Sequence, residues 1–368
     1  LRVFAVNVLM ILNSGQITRK ISGFRSVLAR FCAGAPRNPQ KVDATFALKS
    51  ALAGFWPTIK RLSNVPYVVL LVYGAGGVCA AAEKNILSAA PKERREALAE
   101  LVGSRGEKAV PQLIKSLGDG DPGVRGDATR SLGRLKSGKA VVPLTSRLKS
   151  DTSSSVRGQA ALALAEIGDR KAVPALVQCF KDKSAGVKGY CVRALGILRA
   201  KEAVAPLAGL MAGANADFKA QVLNSLGKVG SPEAGGAVKT ELEDLRAKRA
   251  GGAKIDQPLL VEEEAIRALG EIGGADAVPL VKKGLDSPDD RIRAVSCRAL
   301  LKLNDKSGLP VCLGLLSHSE AGIRREIAEA LAESGDASTT GAVQEALRVE
   351  PNPVVRRILE SALDKSGR

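Results

Sequence analysis

Six prolines constrain this chain more than any other feature. Pro111, Pro143, Pro174, Pro206, Pro279 and Pro310 stand 32, 31, 32, 73 and 31 residues apart, and the 73 is two periods plus about 11 inserted residues. Self-similarity at a fixed period of this length marks an array of stacked units. Each proline is expected to open a helix, where its missing N–H goes unused and its fixed φ suits the first turn. After a polar turn come Val124-Arg125, Val156-Arg157, Val187-Lys188, Phe218-Lys219, Ile292-Arg293, Ile323-Arg324 and Val355-Arg356, which start a second helix in each unit. Steps of three, seven and ten from the basic residue return Ala128, Leu132 and Leu135 in one unit and Cys191, Leu195 and Leu198 in another, an apolar stripe at helical spacing. The position six after it is always small: Ser131, Ala163, Ala194, Ser225, Ala268, Ala299, Ala330 and Ala362. Small side chains let neighbouring helix backbones approach. One hairpin cannot bury its own stripe, so the hairpins must stack; the expected fold class is all-α, an α-α superhelix with a single uninterrupted apolar seam.

Composition agrees with such an array and narrows its chemistry. Of 368 residues, 45% are apolar and 25% charged, which excludes a wholly disordered chain. From Lys92 onward the aromatic residues are Phe180, Tyr190 and Phe218, so the core must be built from Leu, Val, Ile and Ala. The formal charge of +17 would suggest an anionic partner, but residues 1–82 hold ten Lys or Arg against Asp43 as the single acid, and carry about half of the excess. The surplus on the rest is what a long mixed-charge surface needs for solubility, and nucleic-acid binding is the less favoured reading.

Residues 1–82 read as an N-terminal extension of different character. Lys60 and Arg61 precede the uncharged run VPYVVLLVYGAGGVCAAA, Val65 to Ala82, with small residues at Ala80 and Ala82. A basic start, a short apolar stretch and small residues fit a secretory signal, hence an exported or periplasmic protein. The alternatives are a single membrane anchor, since 18 uncharged residues sit at the lower limit for a span, an organelle transit peptide, or a cytoplasmic protein whose start is misplaced. About 50 residues upstream of the basic start are too many for a usual signal peptide, and the chain begins with Leu1, so a fragment and an over-extended start both stay open. Contact with a membrane is expected only through this segment.

Residues 83–108 hold a half unit, KERREALAELVGSRGEK, that serves as a cap, and 109–368 hold eight full units with an insertion at about 240–260. There the first helix is expected to run on through TELEDLRAKRA before the loop GGAKIDQP. Asp119, Asp151 and Asp182 stand six residues before Arg125, Arg157 and Lys188, where a carboxylate can cap the second helix or pair with a basic side chain of the same or a neighbouring unit. The AVPxL start, the D…VR turn and the endings ALAEIGD (163–169) and ALGEIGG (268–274) resemble HEAT repeats of the phycobilisome-lyase-like class. The resemblance implies the solenoid fold and leaves function wide, since proteins sharing these motifs include bilin lyases, a metal-dependent deoxyhypusine hydroxylase and DNA glycosylases.

Each of those chemistries can be held against the residues. The hydroxylase resemblance implies several His-Glu pairs around two irons, but the chain has one histidine, His318, in the turn column, so no metal centre is expected. The glycosylase resemblance implies an aromatic pocket, which three scattered aromatics cannot build. A bilin-lyase-like accessory enzyme would need a tetrapyrrole pocket and an acid or thiol, and Tyr190-Cys191 is the adjacent aromatic and thiol on a second helix; packing explains Cys191 more simply. Cys179, Cys191, Cys297 and Cys312 lack zinc-site spacing, and buried free thiols are expected over disulfides between Cys179 and Cys191 or Cys297 and Cys312. No nucleotide loop is present, and no cofactor and no catalytic residue is expected.

What remains is surface. Five residues after the basic residue that opens each second helix, or after its aligned position in the unit with the insertion, stand Arg130, Leu162, Arg193, Asn224, Arg267, Arg298, Glu329 and Ser361, with Arg134, Lys228 and Lys302 one turn on. On the inner side of the array these would form a mainly cationic groove, interrupted by Glu166 and Glu271. The expected function is a non-catalytic scaffold binding a protein or peptide partner, acidic if the groove is used, through Arg130, Arg134, Arg193, Lys228, Arg267, Arg298 and Lys302. The competing reading of the same residues is a solvated charged face, and the competing functions are the accessory enzyme and an electrostatic nucleic-acid binder.

Overall fold

A computed structural model describes residue 88 and residues 90–366. The signal or anchor run at 60–82, with Cys32 and Cys79, lies outside the described residues. The first element, α1 (Pro91–Arg105), stands alone. Eight pairs follow, even numbers for first helices and odd for second: α2 (Val110–Ser116) with α3 (Pro122–Arg134), α4 (Val141–Ser150) with α5 (Ser154–Ile167), α6 (Val173–Gln178) with α7 (Ala185–Ile197), and α8 (Val204–Gly209) with α9 (Ala216–Val229). The array continues through α10 (Pro232–Ala250) with α11 (Pro258–Ile272), α12 (Val278–Lys282) with α13 (Asp290–Lys302), α14 (Leu309–Leu315) with α15 (Ala321–Ser334), and α16 (Thr340–Val349) with α17 (Pro353–Ser366). No strand occurs among the described residues. The chain is an all-α solenoid.

The prolines sit where their chemistry suits them. Pro111, Pro174, Pro279 and Pro310 are second residues of first helices, and Pro143 and Pro206 are third. Short 3-10 turns, such as Arg170–Ala172 and Lys201–Ala203, lead into them. Several second helices are capped by the residue just before them: Asp121, Ser184 and Asn215 accept the N–H of the third helical residue. The turn acids two positions earlier do not cap; Asp119 instead accepts the N–H of Asp121. In the insertion α10 does run on, to Ala250, and Ser231 caps it.

Each second helix contacts the second helix before it, and the packing explains why the sixth position is small. Two residues further along stand Gly133, Gly196, Gly227 and Gly270, each meeting the small residue of the next unit. A Cβ on Gly133 would lie 2.9 Å from Ala163 Cα, and one on Gly270 would lie 2.8 Å from Ala299 Cα. The backbones therefore touch through a glycine on one helix and an alanine or serine on the next. Between these contacts, Leu132, Leu164, Leu195, Leu226, Leu269, Leu300 and Leu331 are fully excluded from solvent, along with Leu113, Leu144, Leu176, Leu207 and Leu242 of the first helices. Burying each such side chain contributes about 1.5–3 kcal/mol.

The seam is not single, as the pattern had suggested. One apolar cluster runs from Ala97 to Leu300 and a second from Ala294 to Ala362. They meet on α13, where Val295, Ala299 and Leu300 belong to the first and Ala294, Cys297 and Leu301 to the second, and Leu285 packs against both.

Along the turns runs a ladder of charge that ties several units to the next. Arg125 Nη2 donates to Asp151 Oδ1 at 2.8 Å, its Nε donates to the other oxygen at 2.8 Å, and its Nη1 donates to the Asp119 carbonyl of its own turn. Arg94 with Asp119, Arg157 with Asp182 and Arg324 with Glu350 repeat the arrangement. The Arg125 and Asp151 side chains are 8% and 1% exposed, so the pair is buried and fully hydrogen-bonded. The Arg157 guanidinium holds Asp182 below the usual carboxylate range, and Arg324 does the same for Glu350. Burial pushes Asp151 the other way, but the guanidinium of Arg125 and the Ser153 N–H outweigh it.

The ladder changes in the middle. Lys219 reaches Glu241 on α10 at 2.6 Å, and the next ladder position is an acid, Glu262. Arg246 Nε donates to Glu262 Oε1 at 2.7 Å and Arg249 to its second oxygen, so the lengthened α10 supplies the opposite charge from behind. His318, the turn residue of the seventh unit, places Nε2 2.9 Å from Asp290 and accepts the Glu320 N–H on Nδ1. Its role is to stack one unit on another.

Candidate functional site

Second helices pack backbone to backbone, which turns one face of each toward a common inner surface formed by positions two, five and nine after the ladder residue. Arg267 Nη1 donates to Glu326 Oε1 at 2.7 Å, passing over the whole of α13. Such a bridge across an intervening helix is feasible only on the side where alternate helices converge, and it identifies this face as the inner one.

The seven basic residues expected there divide into two groups. Arg267, Arg298 and Lys302 belong to a network with Glu263, Glu271, Glu326, Glu329 and Glu333. Burial opposes the charge on Arg298, and the carboxylates of Glu333 and Glu326 more than offset it. These three cations are already matched inside the chain, so the groove is not cationic along its length. Arg130 is paired with Asp127. Arg134, Arg193 and Lys228 are exposed and make no ion pair among the described residues. The carboxylates that match Arg267 and Arg298 lie up to 59 residues away, a separation that no local period announces.

In the first four units the inner positions carry four bases and two acids; in the last four, four bases and five acids. Burial pushes Glu264 above its ordinary range, with the Asn224 amide and nearby Arg267 and Lys228 acting against it. An open cavity of about 260 Å³ lies at the first end of the face, lined by Arg95, Asp127, Arg130, Ser155 and Gln159 among others. Arg95 and Arg130 both pair with Asp127 there.

One of the two cysteine pairs departs from the expected free thiols. Cys179 and Cys191 form a disulfide within the third unit, joining the end of its first helix region to α7, which withdraws the thiol that a lyase-like role for Tyr190-Cys191 would use. Spacing of 12 residues across one hairpin brings them together, and only the packed hairpin shows it. Cys297 and Cys312 are buried free thiols, and contact with Cys312 together with burial pushes the Cys297 thiol up. Among the described residues no group of His, Cys, Asp and Glu is arranged to hold a metal, and no helix is long and apolar enough to cross a membrane.

The HEAT-repeat family profile matches residues 81–165, 141–227, 209–300 and 281–364 in overlapping pairs of units. The chain belongs to the HEAT-repeat family. Solved structures similar to this HEAT-repeat protein include the complex of CpcE and CpcF of phycocyanin lyase from Nostoc, at 22% identity over 69% of this chain and 93% of that one, with a TM-score of 0.39. Human deoxyhypusine hydroxylase in complex with glycerol matches at 22% identity over 81% and 99%, TM-score 0.32. The Escherichia coli protein YibA matches at 17% identity over 91% and 99%, TM-score 0.41. No curated protein matches the chain.

Proposed function

We propose that this HEAT-repeat protein is a non-catalytic scaffold that binds a protein or peptide partner through the inner face of its second helices. The observation that carries the reading is the unmatched charge of Arg134, Arg193 and Lys228 on a face where Arg130, Arg267, Arg298 and Lys302 are paired internally. A folded chain leaves exposed cations solvated at little cost, but a docking face needs charges that are free to meet a partner's. His318 is engaged by Asp290 and Cys191 by its disulfide, so both groups that an accessory-enzyme reading would enlist have structural roles.

The test is a reconstituted complex. The full chain serves as bait, a captured protein is purified, and hydrogen exchange is followed on the pair. Protection is expected on the inner positions of α3 to α9. Protection confined to the first helices, or no partner that binds in purified form, sinks the reading.

A further inference from the structure

The two halves of the inner face differ in more than charge. Glycine follows the ladder residue in the first three units, at Gly126, Gly158 and Gly189, and each seats the side chain of the next unit directly on its backbone. A Cβ on Gly158 would lie 2.4 Å from the Tyr190 ring, and one on Gly126 or Gly189 would lie 2.6 or 2.7 Å from the amide oxygen of Gln159 or Gln221. Later units have Ala220, Glu263, Ala294, Arg325 and Arg357 at that position. Tyr190, with one ring face held on backbone, is still 43% exposed, and Ile197 two turns on is 44% exposed. Arg193 lies between them on the same stripe of α7 and makes no ion pair.

The geometry points to a docking site on the inner face of α5, α7 and α9 for an extended acidic polypeptide segment that carries aliphatic side chains. This rests on the scaffold reading and names its partner's chemistry. A tyrosine pre-positioned by packing loses little freedom on binding, and a Tyr, an Arg and an aliphatic side chain in one patch are the residue types that concentrate binding energy. Tyr190 and Ile197 take the aliphatic side chains, while Arg193, flanked by Lys228, meets carboxylates. Gln159 and Gln221 hold the equivalent inner positions of α5 and α9 on either side, each seated on a glycine of the helix before it. The partner is excluded from the last four units because Arg267, Arg298 and Lys302 are already matched and five acids face the same side.

The probe is a fluorescein-labelled 12-residue peptide alternating Glu and Leu, titrated with the full chain and read by anisotropy. Binding is expected, with at least tenfold weakening in Arg193→Glu and in Tyr190→Ala, and no change in Lys115→Glu, which makes the same charge change on a first helix. Gly158→Ala, which unseats the ring without touching a contact atom, is expected to weaken binding as well; melting curves by circular dichroism check that each variant folds. Absence of binding, equal affinity for a Lys-Leu peptide, tighter binding of a 12-residue oligothymidine, or loss of affinity in Arg298→Gln as great as in Arg193→Glu would each overturn the site. If the peptide fails while a reconstituted protein partner still protects the second helices, only this inference falls and the scaffold reading stands.

Discussion

At the scale of single residues, the array is held by contacts that leave no room for a methyl group. Gly270 illustrates this: its neighbour is the Ala299 backbone, which cannot rotate out of the way. Gly270→Ala is therefore expected to lower stability by about 1–3 kcal/mol, the cost of overpacking. Gly236→Ala, at a helical position with nothing nearby, is expected to raise it by about 0.5–1 kcal/mol. Urea midpoints of the two variants decide; movement in the same direction would refute the packing account. The small residue six after the ladder position was legible in the sequence because it recurs at a fixed phase. The glycine that receives it was not, since Ala165, Leu301 and Ala332 stand at the same phase in other units and blur the column.

At the scale of elements, the insertion has a structural occupation. Glu262 is 5% exposed at its side chain, and the arginines that neutralise it come from the part of α10 that exceeds an ordinary first helix. Replacing Arg246 and Arg249 together by Ala leaves a buried carboxylate unpaired, and a loss of about 3–5 kcal/mol is expected. Adding Glu262→Gln should restore much of it, because the uncompensated charge is then gone. Thermal melts of the double and triple variants test this, and an equally unstable triple variant would mean that α10 acts by packing alone. The length of α10 could be read from TELEDLRAKRA. Its purpose could not, because sequence alignment places an acid where every other unit has a base but does not say which arginines face it.

At the scale of the whole molecule, stability depends on carboxylates held below their ordinary range. Asp151, Asp182 and Glu350 are more acidic folded than unfolded, so their contribution is fully present above the unfolded values of about 4 and is lost as pH falls through the folded ones. The urea midpoint of the full chain is expected to fall steadily from about pH 5 downward, and less steeply in Asp151→Asn. A midpoint that is flat between pH 3 and 6 would show that the ladder adds nothing net. The solenoid and the Asp-to-basic relation were legible at this scale because stacking repeats the same physics at each step. The division of the inner face was not, because Arg267 finds Glu326 through the bend of the array rather than through its period.

One property of the ladder reaches beyond stability. In the first three units the donor of one unit and the acceptor of the next are chemically the same pair, so excising the second unit would bring Arg125 against Asp182 and leave a joint of unchanged kind. The fifth unit has no such freedom: its inverted sign fits only the long helix beside it. The chain thus contains a run of interchangeable modules followed by a keyed one, and growth or shrinkage by duplication is open on one side of that key and barred at it.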